Sequence, residues 1–321
     1  MITVNVIRSY EYPDFFRQST NMMGRLGDVK FLLNSTEGSD FLICLNPPKQ
    51  QISTCIPIER RWLFTQEPPV PQNQWFRNSF PYFGRVFTQF PGEDMIHSQT
   101  ALPWHIQFNI DELENLKPPL KTKSISTITS NLNNLDGHIK RLAFLDYLQK
   151  NNVHLDFFGK GRNYLEKKED GLLPYKYSIC IENSFYPHYW TEKIADCFLC
   201  YTMPIYFGCP NILDYFPDGS YIQLDLTDFE KSKKLIIEAI EGNLWEKNFD
   251  KIKEARNLIL HHCQFFPLVK NLINEHISSG VDKLNRPEII PSFLPPNGSF
   301  KNMLKRKINH VREIFHHHLY S

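Results

Sequence analysis

YKYSICIENSFYPHYWTEKIADCFLCYTMPIYFGCPN, residues 175–211, reads as strand, loop, helix and strand in succession. Tyr177–Ile181 is a short apolar run bounded by polar residues, the pattern of a buried strand. Thr191 suits an N-cap for a helix over Glu192–Tyr201, where Ile194, Cys197, Phe198 and Tyr201 share one face. Met203–Phe207 returns as a second apolar strand. A strand, a crossing helix and a strand form the unit of a parallel α/β sheet. Glu182, Asn183, Tyr189, Glu192 and Lys193 fall where the first strand ends and the helix begins. In open α/β sheets ligands bind in that crevice.

The same rhythm extends on both sides. Ser124–Thr129 is β-prone, His138–Gln149 has helical spacing, and Val153–Phe158 forms a strand running into Gly159-Lys160-Gly161. Tyr221–Leu224 adds a strand, and Asp228–Glu241 and Trp245–His262 are amphipathic helices. Upstream, Ile2–Ile7, Val29–Leu33, Phe41–Leu45, Trp62–Thr65 and Arg85–Thr88 are strand-like runs among Pro-rich loops. Asn115-Leu-Lys-Pro-Pro-Leu120 breaks regular structure and suits a linker. The expected organisation is therefore 1–118, 119–290, and a distinct tail over 291–321. In the tail, Phe300, Leu304, Ile308, Val311, Phe315 and Leu319 form an apolar stripe among basic residues. Such a helix can lie on an anionic membrane or pack across a domain surface.

Bulk properties narrow the classes. The chain has 321 residues, long for one core, and is 41% hydrophobic and 22% charged, as globular proteins are. A net charge of +1 argues against a chain built to coat nucleic acid. The 7 cysteines are odd in number and sit mostly in apolar segments, which reads as free thiols in a reducing compartment. Cys197 and Cys200 lie inside the helix pattern and read as core rather than as a metal pair. No secretory leader and no membrane-length apolar run is legible, so a cytoplasmic location is expected, peripheral to a membrane if the tail binds one.

Several side chains have the chemistry for a site, although each alone has a plain structural reading. Lys193 adds a full charge to a helix N-terminus, which already favours anions, and Glu192 can accept hydrogen bonds from sugar hydroxyls. Arg141 can grip a phosphate through two N–H groups. Glu67 stands between a strand end and two prolines, a stiff setting for a general base, with Glu93 and Asp94 as rivals in looser surroundings. Phosphate-loop glycine patterns are absent, as is an Asp-x-Asp pair. If a nucleotide sugar binds, Lys and Arg must neutralise the leaving group, and no metal is expected.

Tyr177-Ser-Ile-Cys-Ile-Glu-Asn-Ser184, Tyr189-Trp-Thr-Glu-Lys-Ile194 and Pro204-Ile-Tyr-Phe-Gly-Cys-Pro-Asn211 together resemble the signature of the α-1,3/4-fucosyltransferases, glycosyltransferase family 10. Ser130-Asn131 with Arg141-Leu-Ala-Phe-Leu-Asp146, and Phe157-Phe-Gly-Lys-Gly161, are similar to the flanking segments, and Thr65-Gln-Glu67 to the family's short acidic motif. The resemblance spans roughly residues 60 to 215 and is densest in the second half. It implies a GT-B fold, two Rossmann-like domains facing a cleft, and inverting transfer of fucose from GDP-fucose to a glycan hydroxyl, often on GlcNAc or glucose. Carried over by motif, Arg141 and Lys193 hold the diphosphate, and Asn183 and Tyr189 line the donor pocket. Glu192 binds donor hydroxyls and Glu67 is the base. Trp190 stands where the family usually has Val, and Gln66 where it often has Gly; these departures bear on donor selectivity and on the surroundings of the base. The competing readings are a GT-B transferase for another nucleotide sugar and a non-catalytic glycan-binding or membrane-associated scaffold.

Overall fold

The computed structural model describes residues 1–35, 38–132, 136–159, 163–276 and 284–296. The tail helix expected from Phe300, and Lys160 and Gly161, lie outside them. In chain order the first strands are β1 (Ile2–Arg8), β2 (Arg25–Leu26), β3 (Val29–Leu33), β4 (Phe41–Leu45), β5 (Ile52–Thr54), β6 (Arg61–Phe64), β7 (Arg85–Thr88) and β8 (Ile96–His97). All but β5 form one seven-stranded sheet in the order β2-β3-β1-β4-β6-β7-β8, parallel except for β2 against β3. β4 and β6 are buried along their whole lengths, which is why they read as unbroken apolar runs rather than alternating ones.

After α1 (Ile110–Asn115) come β9 (Lys123–Ile128), α2 (Asp136–Lys150), β10 (Asp156–Phe158), β11 (Tyr175–Ile181), α3 (Glu192–Leu199), β12 (Met203–Phe207) and β13 (Ile222–Gln223). Their strands make a second, wholly parallel sheet in the order β10-β9-β11-β12-β13. In both sheets the winding reverses: between β1 and its neighbours β3 and β4 in the first, and between β9 and β11 in the second. Such reversals leave a crevice beyond the strands' carboxyl ends. The first sheet buries apolar clusters on two faces, one around Phe31 and Trp62 and the other around Leu42 and Phe90; the second has its own core around Tyr177, Phe198 and Tyr206.

Two stretches differ from the sequence expectation. The single helix expected over Trp245–His262 is split. After α4 (Phe229–Glu241) come α5 (Leu244–Lys247), α6 (Phe249–Leu258) and a π-helical turn over Ile259–Cys263. Asn248, at φ −110° and ψ 18°, breaks the helical ladder between α5 and α6. The second difference concerns α7 (Phe265–His276) and β14 (Glu288–Ile290), which fall within the expected 119–290 unit yet pack on the first sheet. Phe265 lies edge-on to Phe15 at 4.9 Å, and Phe266 to Phe31 at 4.7 Å. β14 pairs antiparallel with β5, where Glu288 meets the buried Arg61 at 2.7 Å.

Because Phe266 is fully buried in the first sheet's core, Phe266→Ala is expected to cost about 3–5 kcal/mol. Urea denaturation followed by far-ultraviolet circular dichroism would measure it, and a loss under about 1 kcal/mol would mean that α7 is not part of that core.

Candidate active site

The site grows from the end of β11. The Glu182 side chain is almost fully buried, and its Oε1 accepts from the Thr191 amide at 2.9 Å and the Thr191 hydroxyl at 3.0 Å. Its Oε2 accepts from Lys193 Nζ at 2.9 Å. One carboxylate thus ties the N-cap of α3 to the strand that feeds it. Gly208 permits this packing, since a Cβ there would lie 2.5 Å from Glu182 Cγ. Glu182 was expected to face the crevice; it holds the crevice wall instead. Lys193 Nζ also lies 3.7 Å from Glu192 Oε1. Burial pulls the Lys193 pKa down, but Glu182 and Glu192 together outweigh it and hold the ammonium well above its ordinary value.

Arg141 comes from α2 and is almost fully buried. Its Nη1 donates to Asn183 Oδ1 at 3.1 Å and its Nη2 to the Ser130 carbonyl at 3.3 Å, while Nε has no partner. Among the described residues no carboxylate lies at ion-pair distance from this guanidinium. Burial lowers its pKa and the nearby Glu182 partly restores it. The start of α2 can press against Asn183 because residue 137 is glycine: a Cβ there would stand 2.0 Å from the Asn183 carbonyl oxygen. Arg141, Lys168 and Lys193 border one small cavity of about 30 Å³. Three cationic side chains therefore converge at the reversal point of the second sheet.

Tyr189 is buried just ahead of α3, and its hydroxyl has no hydrogen-bond partner among the described residues. Burial, with Glu182, Glu67 and Glu192 nearby, keeps it a neutral phenol against the opposing pull of Lys193. The preceding His188 adopts a left-handed backbone at φ 63°, and its amide donates to Asn211 Oδ1 at 2.7 Å. That bond uses the Asn at the far end of the 175–211 stretch to shape the loop.

Glu67 approaches from the first sheet, beyond the end of β6. It is open to solvent yet closely flanked by protein, as a group lining a cleft is. The loop is stiffened by Asn73 Nδ2 donating to the Pro68 carbonyl at 2.9 Å and Gln74 Nε2 to the Pro69 carbonyl at 2.8 Å. Gln66, the departure noted above, is buried and fastened from three sides. Its side chain accepts from Tyr10 Oη at 2.8 Å and donates to the Thr100 carbonyl at 3.2 Å, and its backbone N–H donates to Asn46 Oδ1 at 2.7 Å. Thr100 Oγ1 in turn donates to the Trp190 carbonyl at 2.8 Å. The loop bearing Glu67 is thereby linked through Thr100 to the loop bearing Tyr189. Desolvation raises the Glu67 pKa, Lys193 opposes the rise and Glu192 adds to it; the net value lies above that of an ordinary glutamate.

All six residues singled out from sequence thus come together: Arg141 is bonded to Asn183, and Tyr189, Glu192 and Lys193 share an electrostatic neighbourhood with Glu67. Three more were not singled out. His105 Nδ1 lies 3.8 Å from Glu192 Oε1, and burial keeps that imidazole below its ordinary pKa despite Glu192. Lys168 Nζ meets the fully buried Asp196 at 2.6 Å, and Asp196 also accepts from the His105 amide at 3.0 Å. Burial raises the Glu192 pKa, but Lys193, His105 and Lys168 outweigh it and keep the carboxylate well below the usual range. None of the three carried a local signal, since Asp196 lies off the Ile194–Cys197–Phe198 face of α3 and on the side of Glu192. Glu93 and Asp94 are exposed, and Asp94 lines a separate hollow with Arg77 and Arg85.

Residues 118–241 match the C-terminal domain of glycosyltransferase family 10 (fucosyltransferase). The match spans the whole second sheet, from β9 to β13. An α-(1,3)-fucosyltransferase FucT of Helicobacter pylori is 33% identical over 120 residues, covering 36% of this chain and 24% of that protein. A 3-galactosyl-N-acetylglucosaminide 4-α-L-fucosyltransferase FUT3 of Pan troglodytes is 27% identical over 205 residues, 60% of this chain and 51% of that one. The chain thus spans about a quarter to a half of the length of these curated relatives. A crystal structure of an α1,3-fucosyltransferase superposes with a TM-score of 0.50 at 19% identity, covering 79% of this chain and 82% of that one. The fold is GT-B, and the matched stretch carries Arg141 on α2, Asn183 and Tyr189 on the loop between β11 and α3, and Glu192 and Lys193 on α3. Among the described residues no helix is long and apolar enough to cross a membrane, and no group of three or more His, Cys, Asp or Glu could hold a metal ion.

Glu182→Ala removes the nearest carboxylate from the Lys193 ammonium and the acceptor from the Thr191 donors in a buried setting, so a loss of about 3–5 kcal/mol is expected. Thr100→Val removes one hydrogen bond between the two loops and is expected to cost about 0.5–1.5 kcal/mol. Guanidinium denaturation of both variants beside the parent would measure this, and equal small losses would deny Glu182 its anchoring role.

Proposed function

We propose that the chain is an inverting fucosyltransferase that moves fucose from GDP-fucose to a hydroxyl of a glycan acceptor. The observation that carries this reading is Glu67, a carboxylate of raised pKa on the first sheet, facing the Lys193–Glu192 pair on the second. A base on one side and an anion clamp on the other are what inverting transfer needs. Glu67 takes the proton from the acceptor hydroxyl as that oxygen bonds to the anomeric carbon of fucose. The bond from that carbon to the diphosphate oxygen breaks on the opposite side, and its electron pair leaves with GDP. Arg141, with its unpartnered Nε, and Lys193 stabilise the charge that grows on the diphosphate. Asn183 keeps the guanidinium aimed, Tyr189 offers a free hydroxyl to the donor, and Glu192, ionised, accepts from donor hydroxyls. In this reading residues 1–118 serve the acceptor and 119–290 the donor, with the last part of the latter packed back on the first sheet.

The names of the relatives support fucose as the sugar, and the matched stretch holds the residues assigned here to the donor. A transferase for another nucleotide sugar is separated by calorimetric titration. GDP and GDP-fucose are expected to bind at least tenfold more tightly than UDP or UDP-glucose; a preference for uridine would overturn the donor assignment. Arg141→Ala is expected to weaken GDP on the order of 10- to 100-fold, the worth of hydrogen bonds to a charged group.

Glu67→Gln is expected to keep GDP-fucose affinity while losing on the order of 10²- to 10⁴-fold in kcat, the range of a missing general base. The sign with pH follows from the raised pKa. The base acts ionised, so kcat/KM falls on the acid side through a value above that of ordinary glutamate. This limb is expected to vanish in Glu67→Gln. A limb that persists in the variant would place the base elsewhere.

A further inference from the structure

The reversal point of the first sheet carries a second hollow. It lies over one face of β1 and β4 and reaches their carboxyl ends, with a volume of about 830 Å³, the size range that holds a drug-sized ligand. Its polar wall is built on two asparagines in matching roles. Asn34 follows β3 with φ 49°, and its Oδ1 accepts from the Arg8 amide at the end of β1 at 3.0 Å. Asn46 follows β4 with φ 64°, and its Oδ1 accepts from the Gln66 amide beyond β6 at 2.7 Å. Each side chain thus spends its oxygen on a neighbouring strand end. Each leaves its Nδ2 amide without a partner among the described residues, and both residues line the hollow. Asparagine enters the left-handed region more readily than other side-chain-bearing residues, which lets each of these two turn back on the neighbouring strand end.

The rest of the lining fixes the ligand class. Gln50 and Gln51 add exposed amides, and Ile7, Leu42 and Ile56 provide an apolar floor. No carboxylate stands among the described lining residues; the Arg8 guanidinium is already bonded to the Pro13 and Glu11 carbonyls at 2.9 Å each, while the exposed Lys49 adds a cation. Amide and ammonium donors over an apolar floor suit a saccharide, whose ring presents both hydroxyl acceptors and C–H faces. The hollow is also continuous with the catalytic loop, because Asn46 lines it and holds the residue next to Glu67.

Building on the transferase reading above, we propose that this hollow binds the arm of an oligosaccharide acceptor beyond the sugar that reacts, with Asn34 and Asn46 Nδ2 donating to it. The test uses the full chain with GDP bound. Binding of GlcNAc- and glucose-based tetrasaccharides, and of the free monosaccharides, is read by saturation-transfer NMR. Asn34→Asp and Asn46→Asp keep the oxygen that serves the backbone amide and delete the donor. Ser53→Trp fills the hollow from β5, away from both asparagines. The wild-type chain is expected to bind at least one tetrasaccharide more tightly than its monosaccharide, and each variant to reduce that preference on the order of 5- to 10-fold. A wild-type chain without length preference, or variants that all retain it, would overturn the proposal. No chemistry is needed for this readout, so failure of the transferase reading shows separately, as absent transfer or absent GDP-fucose binding.

Discussion

A single buried carboxylate sets the geometry on which the site depends. Glu182 ends β11, accepts from both donors of the Thr191 cap and holds the Lys193 ammonium. An unpaired charge in that position would be far too costly to bury, so strand end, helix start and lysine are fixed as one unit. The charges beyond it follow in alternation: Lys193 faces Glu192, Glu192 faces His105, and Asp196 answers Lys168. Arg141 alone among these cations lacks a carboxylate at ion-pair distance within the described residues, which leaves its charge for a ligand.

The other half of the proposed chemistry is held by a different kind of constraint. Glu67 follows a strand of the first sheet, and its loop is fastened to the loop that bears Tyr189. Gln66 binds Tyr10, Asn46 and Thr100, and Thr100 binds the backbone of Trp190. These are mostly neutral hydrogen bonds, each worth about 1 kcal/mol. Their value lies in placing a carboxylate, since a shift of an ångström at the reacting centre can cost two orders of magnitude in rate. Gln66 in place of glycine gives this loop a fastening that a glycine has no side chain to make.

Legibility in the sequence tracked how local each determinant is. The 175–211 unit was readable because period, cap and apolar face all lie within one window, and the helix starts at Glu192 behind Thr191 as expected. Glu67 was readable from the two prolines that stiffen its loop. The inward turn of Glu182 was not, because it depends on Gly208 and on the cap geometry nine residues on. His105 and Lys168 reach the site through tertiary contacts with Glu192 and Asp196, which leave no periodic trace. The return of α7 to the first sheet was hidden for the same reason: Phe265, Phe266, Val269 and Ile273 have ordinary helical spacing, and nothing in it says which sheet they cover. Asn34 and Asn46 follow β3 and β4, and only the sheet order places them on either side of β1.

The central claim is that a base on one sheet and a cation on the other act within a single electrostatic site. A carbon-13 NMR titration of the Glu67 carboxyl, in the parent chain and in Lys193→Gln, tests it most directly. Because Lys193 pulls the Glu67 pKa down against the rise from desolvation, the account predicts a midpoint above ordinary glutamate in the parent and a higher one in the variant. A midpoint that does not move when the lysine charge is removed would contradict it.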